Sequence, residues 1–224
     1  VRPMAIASVD AAQCYDSIAH PPGSLACQRL GAPPLFLSCM LVTIQLMKFH
    51  LRTAYGDSTS YFSSRSGETP LQGICQGNGG GPSFWYAVSI VLVLYLHHRG
   101  HGAKVRSAIT NELTIVAGLL FVDDLVSLGE NPEVKAAQVI ADLQAMVLAW
   151  QKGLLVTGGS LKPEKCSWSL LAYHFKSGKV QIHTPHSLQA SISLVAEDGT
   201  LQPIKRGPAS EGTTVVGVVQ TLNG

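Results

Sequence analysis

The sequence predicts an α+β fold: an antiparallel β-sheet with helices packed on one face, and a small β-rich C-terminal part. Three observations carry this. The order of apparent elements is strand, helices, glycine-rich loop, apolar helix, hairpin, long helix and small strands, not the strand–helix alternation of a parallel sheet. Residues 117–130 read AGLLFVDDLVSLGE, two aspartates between two apolar runs, the pattern of a hairpin with acids at its tip. The composition, 46% hydrophobic and 13% charged over 224 residues, is ample for a core.

Taken in order, Met4–Ala11 alternates weakly and is partly β-branched, which predicts a strand. HPPGS at 20–24 breaks the chain, and Ser24 is placed to cap a short helix over Leu25–Leu30 that Gly31 and the Pro33–Pro34 pair stop. Leu35–Arg52 has helical length and few breakers; AYGDSTS (54–60) reads as a loop and Tyr61–Ser64 as a strand. Glu68–Gly81 is a glycine-rich loop. Pro82 suits the first turn of a helix over Phe84–Arg99 that is apolar nearly all round and therefore expected to be buried. Lys104–Thr110 and Glu112–Phe121 read as strands, and Leu125–Leu128 returns after the aspartates. Pro132 opens a long amphipathic helix to about Lys152, ended by Gly153, and short strands and turns fill the rest.

The net charge of +2 supports no strong field, and nucleic-acid-binding domains are usually more basic. No run reaches the roughly 18 apolar residues of a membrane helix, and no signal-peptide pattern opens the chain. The five cysteines are scattered without a CxxC pair, which predicts reduced thiols. The expectation is an intracellular protein, nuclear or cytoplasmic, not secreted and without a membrane partner.

The chemistry rests on carboxylates. Asp10 stands at the end of the first predicted strand, in DAAQCYD. A hairpin lying beside that strand brings Asp10 against Asp123 and Asp124. Three carboxylates so close cannot all stay ionised unaided. Divalent cations with a preference for hard oxygen ligands, Mg²⁺ or Mn²⁺, remove the repulsion. Two such ions about 4 Å apart serve phosphoryl and nucleotidyl transfer.

Five stretches carry a resemblance. FVDD (121–124) is similar to the [YF]xDD box of reverse transcriptases, and DAAQCYDSI (10–18) to their first palm motif. LQGICQGNGGGPSFW (71–85) resembles their QGxxxSP motif, with Gln76, Gly77 and Pro82 at the family spacing. GGSLKPEKCSW (158–168) resembles the later palm motif that ends in lysine, and VVGV (215–218) weakly matches a strand near the primer. The motifs run in family order from Val1 to about Val218, and CYDSI, RTAYGDS and QGNGGGP point to retrotransposon-type enzymes.

The resemblance implies a polymerase palm over 1–175 with a β-rich extension over 176–224. It implies an RNA-directed DNA polymerase that adds dNTPs to the 3′-OH of a DNA primer on an RNA template, with two Mg²⁺ ions (Mn²⁺ possible). Asp10 and Asp123 would be the principal metal ligands and Asp124 the third carboxylate. Tyr15 would lie under the incoming sugar and exclude a ribose 2′-OH, Gln76 and Gly77 would line the nucleotide pocket, and Lys165 would donate a proton to pyrophosphate. The family also has basic fingers before the first motif and a helical thumb after the palm. This chain opens about nine residues before Asp10 and so reads as a piece without those parts, which is active only in part or not at all by itself. A non-catalytic remnant that binds nucleic acid, or a palm-type RNA-templated RNA polymerase, are the alternatives.

Two departures concern the pocket. Gly81 replaces the motif's serine, and Cys75 stands where proline often precedes the glutamine. Outside the motifs, Asp16 reads as a helix cap, and His97, His98 and His101 as residues of a helix end. Trp85, Trp150 and Trp168 read as core, and Cys14 and Cys166 as small packing residues.

Overall fold

The computed structural model describes residues 3–64, 70–75, 77–121, 124–130, 135–196, 198–210, 213–215 and 218–220. The chain begins with β1 (Met4–Ala12), α1 (Cys14–Ser17), α2 (His20–Arg29), α3 (Pro34–Leu46), β2 (Phe49–Thr53), β3 (Gly56–Phe62) and α4 (Gly81–His98). There follow β4 (Ala103–Arg106), β5 (Leu113–Val116), β6 (Gly118–Phe121), β7 (Asp124–Glu130), α5 (Ala136–Val156), β8 (Ser160–Leu161) and a 3₁₀ turn (Pro163–Lys165). The last part holds β9 (Ser167–Leu171), β10 (Tyr173–Lys176), β11 (Lys179–Ile182), β12 (Ser193–Val195), β13 (Leu201–Pro203), β14 (Lys205–Gly207), β15 (Thr213–Val215) and β16 (Val218–Gln220). The fold is α+β, as the element order predicts. Two compact units divide it: residues 1–12, 90–156 and 160–224 form one, residues 13–89 and 157–159 the other.

The first unit is built on a sheet of order β14-β9-β1-β7-β6, with β8 paired to the end of β1. All pairings are antiparallel except β14 on β9. β1 alternates strictly, with Ala5, Ala7, Val9 and Ala11 buried. Helix α5 packs on β1 and β7 and buries Val139, Leu143, Met146, Val147, Trp150 and Leu154. By length and composition α5 could cross a membrane, contrary to the expectation that no segment qualifies. That expectation required an unbroken apolar run, whereas α5 intersperses polar residues, and here it serves as a core helix. Gly153 does not end α5, contrary to expectation. It lies inside the helix, where a Cβ would stand 2.9 Å from Leu92 Cδ2 of α4, so the glycine permits close approach.

On α5, Gln144 and Gln151 stand two turns apart and each grips β12. Gln144 Nε2 donates to the Ser193 carbonyl (2.8 Å) while its Oε1 accepts from the Ser193 amide (2.7 Å). Gln151 repeats this with Val195, at 2.7 and 2.9 Å. Each side-chain amide thus takes the place of a neighbouring strand. Gln144→Ala strands one donor and one acceptor, and a loss of about 1–3 kcal/mol in chemical denaturation is expected.

The second unit corrects three readings. HPPGS opens α2 instead of breaking the chain: Pro21 and Pro22 sit in the first turn, where a missing N–H costs nothing. Gly23 is buried because a Cβ there would stand 2.1 Å from Phe84 Cζ. The helix expected over Leu35–Arg52 ends at Leu46, and the chain turns into a β2–β3 hairpin where a loop was expected. Stacked Phe49 and Phe62 rings (centroids 5.0 Å apart) and a two-pronged Arg52–Asp57 pair (2.7 and 3.1 Å) fix that hairpin, with Gly56 at φ +116° in its turn. These cross-strand pairs outweigh helical propensity.

The apolar helices are also less buried than their composition suggests. α3 buries only Leu37 and Ile44, leaving Leu35 at 77% and Leu46 at 75% exposure. α4 buries a stripe of Phe84, Trp85, Val88, Leu92 and Leu96, while Tyr86 and Leu94 are exposed. Farther along, the two strands expected over Lys104–Thr110 and Glu112–Phe121 resolve into three, a β4–β5 hairpin and β6. The core tryptophans Trp85, Trp150 and Trp168 are each at most 2% exposed, Cys14 and Cys166 are buried, and none of the five cysteines is in a disulfide.

Candidate active site

The central position of β1 decides what meets Asp10. β1 runs between β7 and β9, and its register with β7 pairs Met4 with Glu130 at one end and Asp10 with Asp124 at the other. Directly opposed residues of antiparallel strands have Cα atoms about 4.5–5.5 Å apart. The early aspartate and the hairpin aspartate, far apart in sequence, are therefore register partners. The β6–β7 hairpin closes with Phe121 opposite Asp124. Asp123 lies outside the described residues.

Beyond Asp10, the chain is wrapped by the segment that follows α5. β8 pairs Leu161 with Ala11 and Ser160 with Ala12, and the Lys162 amide donates to the Asp10 carbonyl (3.3 Å). Pro163 starts the 3₁₀ turn, whose last residue brings Lys165 Nζ to 3.3 Å from Asp10 Oδ2. The side chains are 58% and 23% exposed. An ion pair this open to solvent contributes at most about 1 kcal/mol, so a divalent cation can displace the ammonium from the carboxylate.

The remaining candidates belong to the second unit. Gln13, in the left-handed region at φ 47°, ends the extended run and starts α1, which carries Tyr15. The Tyr15 carbonyl accepts from the Ile74 amide at 2.8 Å, and the Ile18 carbonyl from the Gly73 amide at 2.7 Å. Gly73, at φ +67°, is pressed against this backbone: a Cβ would stand 2.2 Å from the Tyr15 carbonyl oxygen. Gly81 meets the Tyr15 ring, with a Cβ position 3.3 Å from Cδ1. The glycine in place of the motif's serine thus gives the ring its room.

Gly77 is exposed, at φ +92° with open space around it, so glycine is required there by backbone conformation alone. Gln76 lies outside the described residues. Asn78 Oδ1 accepts from the Gly80 amide (2.9 Å), which folds the loop into α4. Burial, aided by the charge of Asp16, raises the Cys75 thiol pKa above its ordinary value.

Two residues supporting this loop escaped sequence reasoning. Gln45 bonds both main-chain groups of Leu71 (2.7 and 3.0 Å) and donates to His20 Nδ1 at 2.9 Å. His20 Nε2 in turn donates to the Gly73 carbonyl at 2.6 Å, so the chain of bonds fixes the imidazole tautomer. A histidine that opens one helix and a glutamine in the last turn of another carry no motif, and only the tertiary placement of the loop exposes their role. His97 and His98 end α4, and among the described residues no group of three or more His, Cys, Asp or Glu is placed to hold a metal.

No family model and no curated protein matches the chain. Among solved structures, Candida tropicalis telomerase in complex with the TWJ fragment of telomeric RNA is similar, with 14% identity and a TM-score of 0.48 over 75% of this chain and 26% of that one. Apo telomerase from the same organism, truncated from its C-terminal domain, gives 13% identity and a TM-score of 0.40 over 81% and 33%. This chain spans about a quarter to a third of those proteins. A likeness of this size carries no argument about chemistry, which rests on the residues.

Proposed function

We propose that this chain is the palm, over 1–175 with a β-rich extension over 176–224, of a retrotransposon-type reverse transcriptase. Its reaction is RNA-templated addition of dNTPs to a DNA primer 3′-OH. The observation that supports this most is the register pairing of Asp10 with Asp124, joined by Lys165 at 3.3 Å from the Asp10 carboxylate. The part-exposed Asp10 carboxylate, a hard oxygen donor with an exchangeable ammonium beside it, fits Mg²⁺ or Mn²⁺. Asp10, Asp123 and Asp124 would hold two such ions, which when bound activate the primer hydroxyl and stabilise charge on the leaving oxygen.

Lys165, placed beside the Asp10 carboxylate, would donate a proton to the departing pyrophosphate. Tyr15, its ring against Gly81, would exclude the 2′-OH, and Gln76 and Gly77 would line a nucleotide pocket. Lys165→Met separates the lysine's two effects: Mn²⁺ binding is expected to tighten several-fold because a competing cation is gone, while incorporation slows by about 10²-fold. Equal or weaker Mn²⁺ binding removes the competition.

The test is primer extension on an RNA template with Mg²⁺, offering dNTPs or NTPs, beside Mn²⁺ titration of the same protein. The expected result is dNTP-selective incorporation and Mn²⁺ binding, both lost in Asp10→Asn. Incorporation that survives Asp10→Asn, or the absence of any Asp10-dependent Mn²⁺ binding, overturns the proposal, and a preference for NTPs replaces it with an RNA polymerase.

A further inference from the structure

Helix α4 ends in a reversal that leads directly into β4. The His101 amide bonds the Leu96 carbonyl (3.0 Å) and the Gly100 amide the His97 carbonyl (2.9 Å), with Gly100 at φ +73°. Gly102, at φ +132°, lets the chain pass Val116, whose carbonyl oxygen would stand 2.6 Å from a Cβ there. This reversal, the far end of β7 and the second and third turns of α5 enclose a cavity of about 240 Å³ within the first unit. Its apolar wall is Leu128, Leu143 and Met146, and its polar rim is Arg99, His101, Lys104 and Asp142.

The charge of the rim is unbalanced. Neither Arg99 nor Lys104 has a carboxylate partner among the described residues, whereas Asp142 Oδ1 is engaged by Gln138 Nε2 at 2.8 Å. Burial, then the charge of Arg99, push the His101 pKa below its ordinary value against the pull of Asp142. Among the described lining residues, two cations thus face one carboxylate above an apolar wall. The cavity is separate from the aspartates: Leu128 and Gly129 lie four and five residues along β7 from Asp124, about 13–17 Å away.

From this arrangement we infer that the cavity binds a small phosphate monoester with a compact apolar group. The Arg99 fork and the Lys104 ammonium hold the phosphate, and Leu128, Leu143 and Met146 cover the apolar part. Two cations are too few for a nucleic-acid backbone, which takes many phosphate contacts at once. The inference is independent of the polymerase reading, since it uses none of that site's residues.

The experiment titrates phenyl phosphate, inorganic phosphate and a short single-stranded oligonucleotide into the protein, followed by calorimetry and amide shifts at Gly100, Gly102 and Gly129. Saturable phenyl phosphate binding is expected, with inorganic phosphate and the oligonucleotide at least about tenfold weaker at this site. Arg99→Gln and Lys104→Gln should each weaken it about tenfold, Asp142→Asn should tighten it several-fold, and Lys48→Gln, a substitution in the second unit, should leave it unchanged. The altered residues are exposed or half-buried, and unchanged melting temperatures establish that the variants fold. Absence of saturable binding, equal binding of inorganic phosphate, shifts centred elsewhere, or an equal loss in Lys48→Gln overturns the inference.

Discussion

Asp124→Asn is expected to abolish incorporation while making the protein harder to melt. Asp10 and Asp124 oppose each other in register. Like charges at directly opposed positions of a strand pair cost about 0.5 kcal/mol relative to a neutral pair, or about 1–2 °C in a domain of this size. Removing one charge in EDTA should therefore raise the melting temperature slightly. Removing a proposed metal ligand should also lower the rate at least about 10³-fold, near 4 kcal/mol of transition-state stabilisation. Excess Mg²⁺ should stabilise the parent and not the variant, because only a ligand bound to the folded state shifts unfolding. Calorimetric melts with and without Mg²⁺, set beside primer extension, read both signs. A variant that melts lower in EDTA than the parent contradicts the repulsion, and one that keeps its activity contradicts the ligand role.

Gly73→Ala should be among the most damaging single-methyl additions in the second unit. The added carbon would lie 2.2 Å from the Tyr15 carbonyl oxygen and 2.3 Å from Asp16 Cα, both backbone atoms that no rotamer change can move. Alanine at φ +67° adds about 1 kcal/mol of its own. Relief of the clash means parting the loop from α1, with loss of the Gly73–Ile18 and Ile74–Tyr15 bonds. A total of about 3–5 kcal/mol is expected in denaturant unfolding, with faster amide exchange at residues 73 and 74. Gly77→Ala is the internal comparison. It meets open space, so only its φ of +92° counts, and about 1 kcal/mol is expected. Similar losses in the two variants would mean that backbone strain alone governs the loop.

What was legible in the sequence follows from range. The β6–β7 hairpin and the first strand show in local pattern, and the pairing of Asp10 with the hairpin required only that the two be neighbours. The register that sets Asp10 opposite Asp124 comes from the whole length of β1 and β7, which no short window contains. The β2–β3 hairpin was hidden because FHLRT follows an apolar helix without a strong breaker, and its stabilising pairs, Phe49–Phe62 and Arg52–Asp57, join residues on both sides of the turn. Gly23 and Gly153 carry the same lesson. A glycine inside a helix reads locally as a stop, yet each is there for a side chain from another helix, Phe84 or Leu92. Among the proposed site residues, motif spacing singled out Lys165, but its approach to Asp10 depends on the β8 pairing and the turn after it.

The paired amides of Gln144 and Gln151 have a consequence for solubility. A three-residue strand with free main-chain groups invites recruitment by other polypeptides, through edge-to-edge extension that seeds aggregates. By filling the donors and acceptors of Ser193 and Val195, the two glutamines act as stoppers on that side of β12. Their loss would tend to show first as concentration-dependent self-association.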